Sequence, residues 1–280
     1  MSSPANATDA GRLGAERLAP ARAAEAPPAW RRVYAVPVDG IAQPPVAWLA
    51  EALYRGFEIM VALIGLVIGV PFMLIEAALI RLDSPGPPLF VQPRVARSAV
   101  RRGRDLVARN DLIPPEGGFE PDTLYYVPAL FRFMKFRTMY HDAKLRFPEL
   151  YLYQYDPREF RARHFKDEND PRVTRLGRLL RKLTVDELPN LWCVLVGDMR
   201  LVGPRPELPE IPQYYTREEM YKFACKPGIT GLAQINGRGL LSWGETLAWD
   251  LEYVRTRTIM LDLKIILLTL WYVIVRRGAF

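Results

Sequence analysis

Residues 184–198 read TVDELPNLWCVLVGD, and the adjacent carboxylates Asp186 and Glu187 lie near the start of that stretch. Two neighbouring carboxylates at a helix start suit three tasks. They can cap free backbone N–H groups, hold a divalent cation, or attack phosphorus as a nucleophile. Thr184 with Glu187 three residues later matches a capping box, and Pro189 sits more comfortably in the first turn if Asp186 is the cap. Gly197 is placed to end the helix. A helix N-terminus favours an ionised carboxylate, which suits a nucleophile or a metal ligand alike. From this stretch alone, capping is the simplest role.

Cations on both sides change that balance. Upstream stands KFRTM (135–139), where Lys135 and Arg137 alternate with Phe136, as on a strand with both cations on one face. Downstream, GDMRLVGPRPE (197–207) holds Arg205 between Pro204 and Pro206, a stiff backbone that pre-places a guanidinium for bidentate phosphate contact. KPGITGLAQINGR (226–238) is a glycine-punctuated loop carrying the amide of Gln234 and the cation Arg238. Backbone amides beside such glycines can cradle an anion. A turn explains PRP and a strand edge explains KFRTM when each is taken alone. Together with the two carboxylates they describe a diphosphate site with a metal.

The elements that must position these residues follow from periodicity. In VTRLGRLLRKL (173–183), Leu176, Leu179, Leu180 and Leu183 recur at helical spacing, while Arg175, Arg178, Arg181 and Lys182 fall largely on the other face. That face is solvated, lies on anionic lipid, or lines a phosphate site. Residues 82–134 read as a proline-rich loop, a cationic stretch and short strands such as LYYV (124–127), and 142–170 as a surface helix or two.

Ile59 to Ile75 is IMVALIGLVIGVPFMLI, 17 residues without a charge, with Pro71 inside it. That length is marginal for a plain membrane span, which takes about 20 apolar residues. Proline at this place kinks a helix. A buried core helix, an ordinary span and a re-entrant helix that bends at Pro71 all remain open, and charge favours the last. Arg31, Arg32 and Arg55 precede the segment and Arg81, Arg94 and Arg97 follow it, whereas a span carries its basic residues mainly on one side. Near the C-terminus, IILLTLWYVIV (265–275) followed by Arg276 and Arg277 is either an interfacial helix or part of the domain core.

Composition bounds the rest. The chain has 280 residues, 50% of them hydrophobic, with 25 prolines and a formal charge of +7. The charge admits nucleic acid, anionic membrane or phosphate-bearing small molecules as partners. No helix-turn-helix, finger or RNA-binding signature accompanies it, so nucleic acid is not expected. Cys193 and Cys225 have no metal-ligand spacing, which argues against zinc and against a disulfide framework. Residues 1–28 are alanine-rich and lack the apolar stretch of a secretory signal, and they read as a disordered tail.

In order and spacing, SPGPPLF (84–90), KFRTM, DPRVTRLGRLLRKLTVDELPNL (170–191), GDMRLVGPRPE, KPGITGLAQINGR and LDLKIILLTL (261–270) resemble the bacterial sugar transferase family. These are the monotopic polyprenyl-phosphate hexose-1-phosphate transferases, and the resemblance covers roughly residues 50–280. It implies an α+β, mostly α fold: a compact cytosolic catalytic domain carried on a Pro-kinked re-entrant helix, at the bacterial inner membrane. The expected division is a tail over 1–40, a membrane-associated region over 41–83, and a catalytic domain over 84–280 that ends in the interfacial helix. The resemblance makes Asp186 the nucleophile and Glu187 its partner, both on Mg²⁺. It gives Arg181 the task of orienting the pair, and places Lys135, Arg137 and Arg205 on the phosphates, with Gln234 and Arg238 as further substrate contacts. It implies a nucleotide sugar, with a UDP-sugar expected, and polyprenyl phosphate as substrates and the lipid bilayer as a surface, and leaves a homodimer open. The chain differs from short members between about 95 and 134, where it carries an insertion. It lacks the multi-span N-terminal portion of long members, so a minimal form is expected. A glycosyltransferase that releases nucleoside diphosphate, and a non-catalytic membrane scaffold, are the rival readings.

Overall fold

The computed structural model describes residues 33–40, 47–152, 155–164, 169–237 and 240–275. One helix, α1 (Trp48–Asp83), is 36 residues long and about 54 Å from end to end at 1.5 Å per residue. The helix runs on through Pro71, whose nitrogen has no hydrogen to donate to the preceding turn. The buried residues Tyr54, Glu58, Ala62, Gly69, Glu76 and Ile80 recur at intervals of four and seven and so make a single stripe. Large apolar side chains over the rest of the helix, including Leu63, Ile64, Val67, Ile68, Phe72 and Leu74, are exposed. A contiguous exposed apolar surface marks a protein or membrane contact.

Beyond α1 the chain makes a long antiparallel hairpin, β3 (Leu89–Arg102) with β5 (Leu124–Phe136), whose register shifts between Ala96 and Ala99. Two short strands precede α1. β1 (Val33–Tyr34) pairs in parallel with β4 (Leu112–Ile113), and β2 (Val36–Pro37) adds to β5 with Val36 opposite Tyr126. The expected tail over 1–40 is therefore corrected at its end, while residues 1–32 lie outside the described residues. Val33, Ala35 and Val36 are almost fully buried. They pack in one core with Leu106 and Leu112 of the insertion, Tyr125, Met220, Leu247 and Val254. The hairpin insertion thus closes the far end of the domain over the N-terminal strands.

The charged middle region holds two short helices, α2 (Ala143–Arg146) and α3 (Pro157–Ala162). Then come α4 (Arg175–Leu183), capped by Thr174, whose side chain accepts from the Gly177 N–H, and α5 (Asn190–Val196), which ends at Gly197 with φ 90°. Strands β6 (Arg200–Val202) and β7 (Gly228–Thr230) lie parallel. They approach so closely that a Cβ on Gly228 would fall 2.0 Å from the Gly203 nitrogen. Helices α6 (Leu232–Gly237), α7 (Trp243–Thr256) and α8 (Ile259–Ile274) complete the chain. The result is a mixed α/β domain with the larger share in helices. Of α8, Asp262 and Ile265 are buried, whereas Leu267, Leu270, Trp271 and Ile274 are exposed. One face of this segment packs in the domain and the other is apolar and exposed.

Charge fastens α1 to this body. Arg200 Nε donates to both oxygens of the fully buried Glu58, at 3.2 and 3.1 Å, and the Leu201 N–H donates to Glu58 Oε1 at 3.0 Å. Arg200 also pairs with Glu51, which takes Arg257 Nη2 at 3.1 Å, and Arg257 Nε lies 3.5 Å from Asp262. Arg55 Nη2 donates to the carbonyls of Val194 and Leu195 at 2.6 and 3.3 Å, so it satisfies the last turn of α5. Removing one member of a buried pair strands the other charge, at a cost of about 3–5 kcal/mol. Glu58→Ala is therefore expected to lower the thermal unfolding midpoint clearly. Arg146→Ala, at the exposed pair with Asp142, is expected to leave it unchanged.

Candidate active site

The carboxylate pair lies on a tight turn between α4 and α5. Thr184 ends α4 in the left-handed region, φ 59° and ψ 24°, with its N–H donating to the Arg181 carbonyl at 3.1 Å and the Val185 N–H to Leu180 at 3.3 Å. This closure normally uses glycine. From there the chain winds through three-residue turns (Leu188 N–H to Val185, Asn190 N–H to Glu187) into α5, whose own start carries no side-chain cap. The capping expectations for Thr184, Glu187 and Asp186 at this helix are thus corrected. The helix begins only after Pro189, which offers no side-chain cap, so neither carboxylate stands at its N-cap position.

Backbone contacts fix the turn against β5. Phe136 N–H donates to the Asp186 carbonyl at 2.8 Å, and the fully buried Asn190 accepts from the Met134 N–H at 3.3 Å. Lys135, between those two residues, is thereby brought beside the carboxylates. It stands opposite Phe90 in the hairpin, with Nζ 5.9 Å from the ring centre. Arg181 comes from the last turn of α4, its Nε donating to Thr138 Oγ1 at 2.9 Å. Gly177 permits that approach, since a Cβ there would lie 2.0 Å from the Thr138 carbonyl oxygen.

Arg205 follows β6 and reaches Glu187 Oε1 at 3.3 Å. Its proline-flanked loop is held from β3, where Arg94 Nη1 donates to the Pro206 carbonyl at 3.3 Å and the Val95 N–H to Glu207 at 2.8 Å. Behind it the buried Lys222 pairs with Glu207 and with Asp250, the latter at 3.0 Å. Arg94, Asn190, Thr138 and Lys222 thus position the site without having been expected there. A signal existed only for Arg94, in its basic surroundings.

Electrostatics binds the group together. Burial pushes the Asp186 carboxyl above the usual range, Glu187 adds to this, and Lys135, Arg181 and Arg205 oppose it. Burial brings the Lys135 ammonium down to about 8 against the pull of Asp186, with Arg181 and Arg94 pushing the same way as burial. The result is a buried carboxylate that three cations keep available.

The remaining expected contacts differ. Arg137 does not share Lys135's place. Its backbone has left the strand, and its guanidinium donates to Pro87 O at 2.8 Å, Ser84 Oγ at 2.9 Å and Ser84 O at 2.8 Å. It is buried as the clamp on the exit of α1. Gln234 is on α6 with both amide atoms buried and without hydrogen-bond partners. Arg238 lies outside the described residues.

This arrangement defines a class, and the comparisons agree with it. The chain belongs to the bacterial sugar transferase family, whose profile matches residues 49–102 and 127–276 and leaves out most of the hairpin insertion. It is similar to an undecaprenyl-phosphate glucose phosphotransferase of Komagataeibacter xylinus, 35% identical over 237 residues, which are 81% of this chain and 36% of that protein. It is also similar to a UDP-N-acetylgalactosamine-undecaprenyl-phosphate N-acetylgalactosaminephosphotransferase of Aeromonas hydrophila, 32% identical over 231 residues, 80% of this chain and 44% of that protein. The exopolysaccharide production protein ExoY of Rhizobium meliloti is 29% identical over 246 residues, 88% of this chain and 94% of that protein. The chain thus spans less than half the length of the first two.

The left-handed Thr184 yields a prediction. A side chain in that conformation costs about 1–2 kcal/mol, which glycine avoids. Thr184→Gly is expected to raise stability by about 1 kcal/mol in thermal unfolding. A loss instead would mean that the threonine side chain makes a stabilising contact of its own.

Proposed function

We propose that the protein transfers a sugar 1-phosphate from a nucleotide diphosphate sugar to a polyprenyl phosphate, with Asp186 as covalent carrier. The observation that carries this is the placement of Asp186: a buried carboxylate on an uncapped turn, with Lys135, Arg181 and Arg205 converging on it from three elements. An Asp186 oxygen attacks the phosphorus that bears the sugar, and the bond from that phosphorus to the departing nucleoside monophosphate breaks. An oxygen of the lipid phosphate then attacks the same phosphorus and displaces Asp186, giving a lipid diphosphate sugar. Dividing the transfer in this way replaces one hard step by two easier ones. The cations offset charge on the transferring group, and Arg205 is flanked by prolines and free to turn from Glu187 to a phosphate. The names of the relatives support a lipid phosphate as acceptor and a UDP-sugar as donor.

The residues fit a magnesium ion. Asp186 and Glu187 are adjacent, and burial with mutual repulsion disfavours the Asp186 charge, which a divalent cation would offset. Among the described residues no group of three or more metal-binding side chains converges. The other ligands would be phosphate oxygens and water, as Mg²⁺ prefers. Bound there, the ion would supply Lewis-acid stabilisation of phosphoryl charge.

The same proposal places α1 in the cytoplasmic membrane as a re-entrant helix, with the domain on the cytosolic side. Support comes from its two ends. Glu51, Arg55 and Glu58 near one end, and Ser84 just past the other, are all bonded to the same domain, and basic residues flank both. The exposed face of α8 adds a second apolar surface.

Purified protein supplied with polyprenyl phosphate, Mg²⁺ and a panel of nucleotide sugars is expected to release nucleoside monophosphate. Asp186→Asn is expected to reduce that release by at least about 10³-fold while unfolding at an unchanged temperature. Release of nucleoside diphosphate would instead identify a glycosyltransferase. Lys135 is charged below its pKa, so kcat/KM for the donor is expected to fall as pH rises through about 8. Lys135→Arg is expected to flatten that limb.

A further inference from the structure

The buried stripe of α1 carries two carboxylates with opposite surroundings. Glu58 is bound by Arg200 and a backbone N–H. Among the described residues, none donates a hydrogen bond to Oε1 of Glu76. Its residue is 6% exposed, and Oε1 is fully buried without a hydrogen-bond partner. Its stripe neighbour Ile80, with Met73 and Ala77, packs against Leu180, Leu176 and Val185, the last adjoining Asp186. Among the described residues, Asp186 is the charged group that acts on Glu76. A buried polar atom left without a partner costs stability, and a leucine or alanine would fill this place without that cost. An ionisable side chain on an otherwise apolar, exposed helix calls for a functional reason.

Position suggests the reason. The cations come towards Asp186 from β5, α4 and the Pro-Arg-Pro loop, whereas Glu76 lies on α1, the element whose outer surface is apolar. A substrate with a phosphate head and a hydrocarbon tail would come to Asp186 along that element. We propose that Glu76 is the acceptor-side residue of the site, forming a hydrogen bond with the phosphate of the lipid acceptor. One proton lies between the carboxyl group and a phosphate oxygen, whichever of the two brings it. This rests on the transfer reaction proposed above, and assigns Glu76 to its second half alone.

Glutamine can either donate to or accept from a phosphate and keeps the bond, whereas leucine cannot. The full-length protein with Glu76→Leu or Glu76→Gln is compared with the wild type in three measurements. These are thermal unfolding, the first-turnover release of nucleoside monophosphate without lipid, and KM for polyprenyl phosphate. Glu76→Leu is expected to be at least as stable as the wild type and unchanged in the first turnover. Its acceptor KM is expected to rise by about tenfold or more, the loss of a hydrogen bond to a charged group. Glu76→Gln is expected to stay within about threefold of the wild-type acceptor KM. An unchanged acceptor KM in Glu76→Leu would overturn the inference. So would a loss of stability with both half-reactions falling together, since that marks a structural residue. Failure of Glu76→Gln to keep acceptor KM would overturn the shared hydrogen bond. Each of these outcomes leaves the transfer reaction standing. A wild-type protein that releases no monophosphate would instead remove both readings.

Discussion

A helix covered with exposed apolar side chains has little reason to prefer one orientation against its own domain, because nonpolar contact is not directional. The buried pairing of Glu58 with Arg200 supplies the direction. An ion pair out of water tolerates little displacement, since each charge left unmatched is costly. Glu51, Arg257 and Asp262 extend the grip to α8, and Tyr253, 2.7 Å from Asp262 and 3.2 Å from the Val202 carbonyl, ties α7 and β6 into it. Since β6 leads into the Pro-Arg-Pro loop, the seating of α1 and the placement of Arg205 share one set of bonds.

That arrangement explains why the active-site side chains come from far-apart segments yet converge. Each is placed by a backbone contact close to it in sequence: Lys135 by the Asp186 and Asn190 contacts on either side, Arg205 by the bonds from Arg94 and Val95, Arg181 by Thr138 and the small Gly177. Arg205 is paired in turn with Glu187.

Much of this was legible in the sequence where the signal is local. Helix α4, its leucine spacing, the Gly197 stop and the apolar run of α1 all follow from periodicity and glycine placement, and Lys135, Arg181 and Arg205 stood out as cations around a carboxylate pair. What was hidden depends on distant partners. Arg137 and Lys135 look equivalent in KFRTM, and only the carbonyls of residues 84–87 distinguish them. Val33 to Val36 read as the end of a tail because the two strands they join begin about eighty and about ninety residues later. The helix start was misplaced because Pro189 and the left-handed Thr184 create a turn that a capping pattern mimics. Glu76 ends the uncharged run from Ile59, and nothing near it in sequence hints at the influence of Asp186 on it.

The Arg137 clamp, taken with the bonds around Arg55 and Glu58, turns α1 into a strut fastened at two points. Between them the helix has no freedom to slide or to turn about its axis, for a single added residue would rotate everything beyond it by about 100° and shift it by about 1.5 Å. A surrounding medium that does not match the apolar length of the strut therefore cannot be met by moving the helix. In the membrane placement proposed above, the mismatch would fall on the medium, which would thin, thicken or curve around the fastened helix.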